Sequence, residues 1–128
     1  MRGKIAVVCL AGLALCGCGQ DAAVARAEKA LQGKQLTFEA DIKPIVAARC
    51  QNCHVDEAKG KYSMATLENA LKGGKWGSDI VPGDAEKSRL YLLVADKDKS
   101  KKIMPPKGGA LTPEQIATIK VWINSGAK

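Results

Sequence analysis

Cys50, Cys53 and His54 fall together in the run Cys50-Gln51-Asn52-Cys53-His54. Two residues between the cysteines bring both sulfurs to one side of a helical turn, where each thiol can form a thioether with one vinyl group of a porphyrin. The histidine that follows is placed to give its imidazole to the iron. Cys-x-x-Cys-His is thus the attachment pattern of c-type haem, and it predicts a covalent cofactor and one axial ligand together. Other uses of such a pair fit less well. A thioredoxin-like redox pair expects a βαβ pattern, and no stretch nearby alternates with strand periodicity. A structural zinc site needs four ligands, whereas the chain beyond its leader offers only Cys50, Cys53, His54 and a distant Cys18.

His54 is the only histidine, so the far side of the iron takes a methionine, a lysine, another weak ligand or nothing. Met64 sits just ahead of a short expected helix. Met104 lies in Ile103-Met104-Pro105-Pro106-Lys107-Gly108-Gly109, an extended segment that can cross a haem face and aim a thioether at iron. Met104 is the expected ligand and Met64 the alternative; the other role open to a methionine is to fill a core gap. His/Met ligation raises the potential and leaves no open position, which points to single-electron transfer rather than to an enzyme. The rival is a haem-based sensor or ligand-binding module with a labile sixth site. A small peroxidase has less support, since no distal His/Arg pair is present. A proximal histidine gives its second ring proton to a carbonyl or carboxylate; the carbonyl of Pro82 is the candidate, and Trp76, Tyr62 and Arg89 are candidate donors to the propionates.

The elements that must position these groups read as helices. Phe38, Ile42, Ile45 and Val46 are spaced as one helical face leading into Cys50, with Pro44 either in a first turn that starts near Asp41 or at a kink. Residues 55–63 read as loop. Thr66 to Leu71 reads as a short helix stopped by Gly73-Gly74. Pro82-Gly83 reads as a turn, and Asp84 as the N-cap of a helix carrying Leu90, Leu93 and Val94. The charged run 96–102 reads as a solvated loop. Thr112-Pro113-Glu114-Gln115 reads as a capping box with proline at the first helical position, opening a helix with Ile116, Ile119 and Ile123 inward and Gly126 after it. The expected domain is all-α, with no internal repeat and no second haem motif. Aromatic residues make up only 4% of the chain, so a buried porphyrin would add apolar bulk to its core.

The chain begins with Arg2 and Lys4 and an apolar run from Ile5 to Leu15, a secretory leader too short for a membrane span, which needs about 20 apolar residues. Leu15-Cys16-Gly17-Cys18 has the form of a lipobox, which makes 1–17 a lipoprotein signal peptide and Cys18 the lipidated residue; cleavage after Ala23-Val24-Ala25 is the alternative. Residues 18–36, alanine-rich with little apolar face, read as a tether, and 37–128 as the monohaem domain. The expected location is the periplasmic side of a bacterial membrane. The formal charge is +7, and loss of Arg2 and Lys4 with the leader leaves +5. Export argues against nucleic acid as a partner; an acidic redox protein suits Lys97, Lys99, Lys101, Lys102 and Lys107, which flank Met104.

From about Phe38 to Ala127 the chain resembles the planctomycete-type cytochrome c domain of the class I cytochrome c superfamily. The resemblance runs through Ile42, Pro44 and Ile45, the Cys50–His54 motif, Gly73-Gly74, Ile80-Val81-Pro82-Gly83, Ser88, Leu90, Met104-Pro105-Pro106, Leu111-Thr112, Ile116, Ile119, Trp122-Ile123 and Gly126-Ala127. It implies a class I fold with helices packed around one covalent haem c, bound through Cys50 and Cys53 with His54 proximal and Met104 distal. Members of that family often accompany larger domains, so the resemblance leaves donor and acceptor open.

Overall fold

Phe38 and Trp122, 84 positions apart in the chain, meet with ring centroids 6.0 Å apart and planes tilted by 46°. The computed structural model describes residues 18–128; the leader over 1–17 and the side chain of Cys18 lie outside the described residues. Within them are α1 (Cys18–Ala30), α2 (Lys43–Arg49), α3 (Leu67–Lys72), α4 (Arg89–Val94) and α5 (Pro113–Asn124). π-helical turns cover Phe38–Ile42 and Asn52–Asp56, and 3-10 turns cover Lys59–Lys61 and Ala85–Lys87. The described residues contain no strand, only an isolated bridge between Gly74 and Gly77. The expected all-α character holds there.

Local sequence explains where the helices start. The Gln115 amide N–H donates to the Thr112 side chain (3.2 Å), and the Thr112 N–H donates to the Gln115 side-chain oxygen (3.0 Å), with Pro113 in the first turn. This satisfies two amides that α5 would otherwise leave orphaned. From there Ile116, Ala117, Ile119, Trp122 and Ile123 are all buried. Pro44 sits in the first turn of α2, where its missing N–H costs nothing, and the preceding π-helical turn buries Phe38 and Ile42. Thr66 caps α3 by accepting from the Asn69 N–H. Asp84 differs from expectation: it caps the 3-10 turn, accepting from the Lys87 N–H at 3.1 Å, and not the helix that carries Leu90. The extended backbone of Ser88 separates the two, and its buried hydroxyl accepts from the Val81 N–H (2.8 Å) and donates to the Asp84 carbonyl (2.8 Å).

The far end of the chain closes on the core. The Lys128 carbonyl accepts from both the Phe38 N–H (2.8 Å) and the Trp122 indole N–H (2.9 Å), so the one polar atom of a fully buried indole is satisfied.

The segment read as a tether is folded. α1 packs along α5, with Val24 buried and Ala27 and Leu31 partly buried against the core. These three recur at helical spacing, and the alanine lets the two backbones approach. Charge supports the contact: Lys120 on α5 pairs with Glu28 at 2.9 Å, and Lys97 pairs with Asp21 at 3.4 Å. Among the described residues, no helix is long and apolar enough to cross a membrane.

Candidate cofactor site

α2 delivers Cys50 at its C-terminal end, where the Cys50 N–H still donates to the Val46 carbonyl at 2.8 Å. The backbone then winds on through a wider turn. Both the Cys53 N–H (3.2 Å) and the His54 N–H (2.9 Å) donate to the Cys50 carbonyl. One carbonyl thus gathers the three residues of the motif. The two thiols are free and half-buried. Burial pushes the Cys50 thiol up to about 11, opposed by the neighbouring Arg49 charge and assisted by Cys53.

His54 is oriented from behind. Its Nδ1 lies 3.2 Å from the Tyr62 carbonyl oxygen. A carbonyl only accepts, so this contact fixes the proton on Nδ1 and leaves the lone pair on Nε2, the arrangement of a metal-ligating imidazole. The Met64 N–H donates to the His54 carbonyl at 2.7 Å, which fastens the same loop at a second point. The Tyr62 ring stands edge-on to the imidazole, centroids 5.5 Å apart.

The expected partner of His54, the carbonyl of Pro82, is therefore replaced by that of Tyr62. The Pro82-Gly83 turn is directed to α5 instead, with the Gly83 N–H donating to the Ile123 carbonyl at 2.7 Å. Trp76 is 73% exposed, with the Lys75 ammonium 4.8 Å from its ring centroid. It tips a tight turn closed by the Gly74 N–H to the Gly77 carbonyl (3.0 Å), and this turn packs on the Tyr62 loop. A Cβ on Gly74 would come within 2.8 Å of both the Gly60 carbonyl oxygen and the Tyr62 Cβ, so only glycine fits there. Met64 is a core residue, 2% exposed. Met104 is half-buried against the core, with its N–H donating to the Leu93 carbonyl of α4 at 3.0 Å.

Two polar groups near the motif are out of balance. The Tyr62 hydroxyl is buried with no hydrogen-bond partner, and burial, with the Asp79 and Cys50 charges adding, holds its pKa far above the ordinary phenol range. Burial likewise raises Asp79, against the pull of Arg89, whose guanidinium lies 3.5 Å away. An orphaned buried hydroxyl costs stability unless something completes it. Beside two free thiols and an imidazole with an open nitrogen, it fits a covalently held group that itself carries polar atoms. A zinc site fits poorly: among the described residues no three His, Cys, Asp or Glu side chains are grouped to hold a metal ion.

The family described as planctomycete cytochrome C matches residues 50–108. That segment belongs to this family. No curated protein and no solved structure matches the chain. The cytochrome c match opens on Cys50 and closes on Gly108, so it takes in the haem motif, the Tyr62 carbonyl that orients His54, and Met104. A cytochrome c domain implies binding of haem c, and the residues around Cys50 fit that group.

Two features of the site are not legible in the sequence. One is the Tyr62 carbonyl, because a backbone oxygen has no signature in sequence. The other is Arg49, whose guanidinium reaches the carbonyls of Gly108, Gly109 and Ala110; a basic residue directly before the motif was its only signal.

Proposed function

We propose that the protein is an exported monohaem c-type cytochrome of class I fold that carries single electrons and is not an enzyme. The observation that supports this best is the hydrogen bond from His54 Nδ1 to the Tyr62 carbonyl, which prepares Nε2 as a ligand directly beside two unpaired thiols. Cys50 and Cys53 would hold the haem as thioethers, each thiol adding its sulfur and its hydrogen across one vinyl group, and His54 and Met104 would ligate its iron. Bound haem supplies an iron that moves between ferric and ferrous states, accepting and giving one electron at a time. The chain holds the ligands, excludes water with its buried face and presents a charged surface.

That surface is basic around the Met104 segment. Lys97 is engaged with Asp21 and the Tyr91 hydroxyl, which leaves the exposed Lys99, Lys101, Lys102 and Lys107 to steer an acidic redox partner. Lipid on Cys18 keeps the protein at the periplasmic side of a bacterial membrane.

Protein matured in a periplasm with haem-attachment machinery tests this through a pyridine haemochrome assay and oxidised and reduced spectra. A covalent low-spin haem with a methionine-to-iron charge-transfer band is expected. Covalent high-spin haem would instead support a sensor with a labile sixth site, and absence of haem would return Cys50 and Cys53 to thiol chemistry.

A further inference from the structure

We propose that Arg49 is the positioning residue of the Met104 segment, clamping it to the haem-attachment motif; this rests on the reading of Met104 as an axial ligand. Arg49 is the last residue of α2 and the immediate neighbour of Cys50. Its Nη2 faces three successive carbonyl oxygens, those of Gly108 (3.1 Å), Gly109 and Ala110 (3.0 Å). A guanidinium is always charged, and the two N–H groups on Nη2 are shared among three converging carbonyl dipoles, which makes a strong local anchor. A helix-terminal arginine often serves the carbonyls of its own last turn. The partners here lie 59, 60 and 61 residues away instead, so the contact is tertiary.

The segment that it holds has unequal stiffness. Pro105 and Pro106 follow Met104 and restrict their own φ angles. Gly108 and Gly109 both adopt positive φ, 84° and 81°, and glycine there leaves the backbone free to take other shapes. At the near end, Met104 is fastened by its own N–H on the Leu93 carbonyl (3.0 Å). At the far end, the fastening is Arg49, applied where the chain is most pliant. Met104 is therefore bracketed between α4 and the residue next to Cys50. Removing the clamp frees the glycine end, and the thioether then yields its position more readily to an added ligand.

The test uses the haem-loaded full chain as wild type, Arg49→Met and Arg49→Lys, titrated with imidazole and monitored at the methionine-to-iron band. Arg49→Met should bind imidazole about tenfold to a hundredfold more tightly than wild type, the scale of hydrogen bonds from a charged donor, with haem content unchanged. Arg49→Lys keeps the charge on a shorter stem that falls short of the three carbonyls, and should fall between the two. A purely structural role would move the unfolding midpoint but not the affinity for imidazole in the native protein. Wild-type affinity in both variants, with the band retained, overturns the role of Arg49 and leaves Met104 standing. A wild-type protein without the band overturns the Met104 reading, and the clamp with it. Should Arg49→Met fail to accumulate, Arg49→Lys alone decides by the same comparison.

Discussion

His54 Nδ1 points at the Tyr62 carbonyl oxygen across 3.2 Å, while the hydroxyl of the same tyrosine is buried with no partner. One residue thus does two unlike things at the site. Its backbone settles the imidazole tautomer, and its side chain presents an unsatisfied donor close by. Tyr62→Phe separates them, because it keeps the carbonyl and removes the hydroxyl. If the hydroxyl gains its partner from the bound group, the haem-loaded variant loses about 1 kcal/mol in denaturant unfolding, the usual net worth of a hydrogen bond. A variant as stable as wild type, or more so, would mean that the hydroxyl remains orphaned in the loaded protein.

The two methionines should separate cleanly. Met104→Ala lowers the reduction potential and opens the sixth position to small ligands. Met64→Ala keeps the low-spin spectrum but costs about 2–5 kcal/mol of stability, since its side chain is a buried core group. Potentiometry and chemical denaturation on both variants provide the comparison, and interchanged results would interchange the assignments.

Gly74→Ala places a methyl group against the Gly60 carbonyl and Tyr62 Cβ. The loop must shift, at a cost of about 1–3 kcal/mol for overpacking, and the carbonyl behind His54 shifts with it. A lower unfolding midpoint together with a changed potential is expected. A change in stability with an unmoved potential would show that the Tyr62 loop yields without disturbing the imidazole.

Lys120 ties α1 to α5 through Glu28. Its partial burial lowers its pKa, but the hydrogen bond to Glu28 and the charges of Tyr91, Glu28 and Glu86 outweigh this and raise it above the ordinary lysine value of 10.5. A raised pKa means that the folded state holds the proton more tightly. The stabilisation is therefore complete below pH 10.5 and is lost as pH climbs through the folded-state value. Glu28→Gln should remove it, at about 1 kcal/mol for a partly shielded pair, and accelerate hydrogen exchange in α1 first. Unchanged exchange across α1 would mean that Val24, Ala27 and Leu31 hold the helix unaided.

Local chemistry was readable; long-range contacts were not. The Thr112–Gln115 capping box and the stop at Gly73 depend on residues within a few positions, and the structure has each where the spacing placed it; of the two places open to Pro44 it takes the first turn, in a helix that starts at Lys43 rather than near Asp41. The fate of residues 18–36 was hidden because an alanine-rich helix shows little contrast between its faces, although Val24, Ala27 and Leu31 do form a stripe. The Pro82-Gly83 turn was recognised by composition, but its direction depends on the Ile123 carbonyl far along the chain. Arg49 illustrates the same limit: its partners are backbone atoms some sixty positions away, and nothing in their side chains advertises them.

The docking of α1 on α5 sets the reach of the whole molecule. On our proposal that Cys18, the first residue of that helix, carries lipid, the domain would have no slack leash on which to swing outward. It would stay close to the bilayer and explore its surroundings by gliding in two dimensions. Electron donors and acceptors would then have to come within a thin layer above the lipid headgroups, so partner choice would be set by which proteins share that layer as much as by the lysines that greet them.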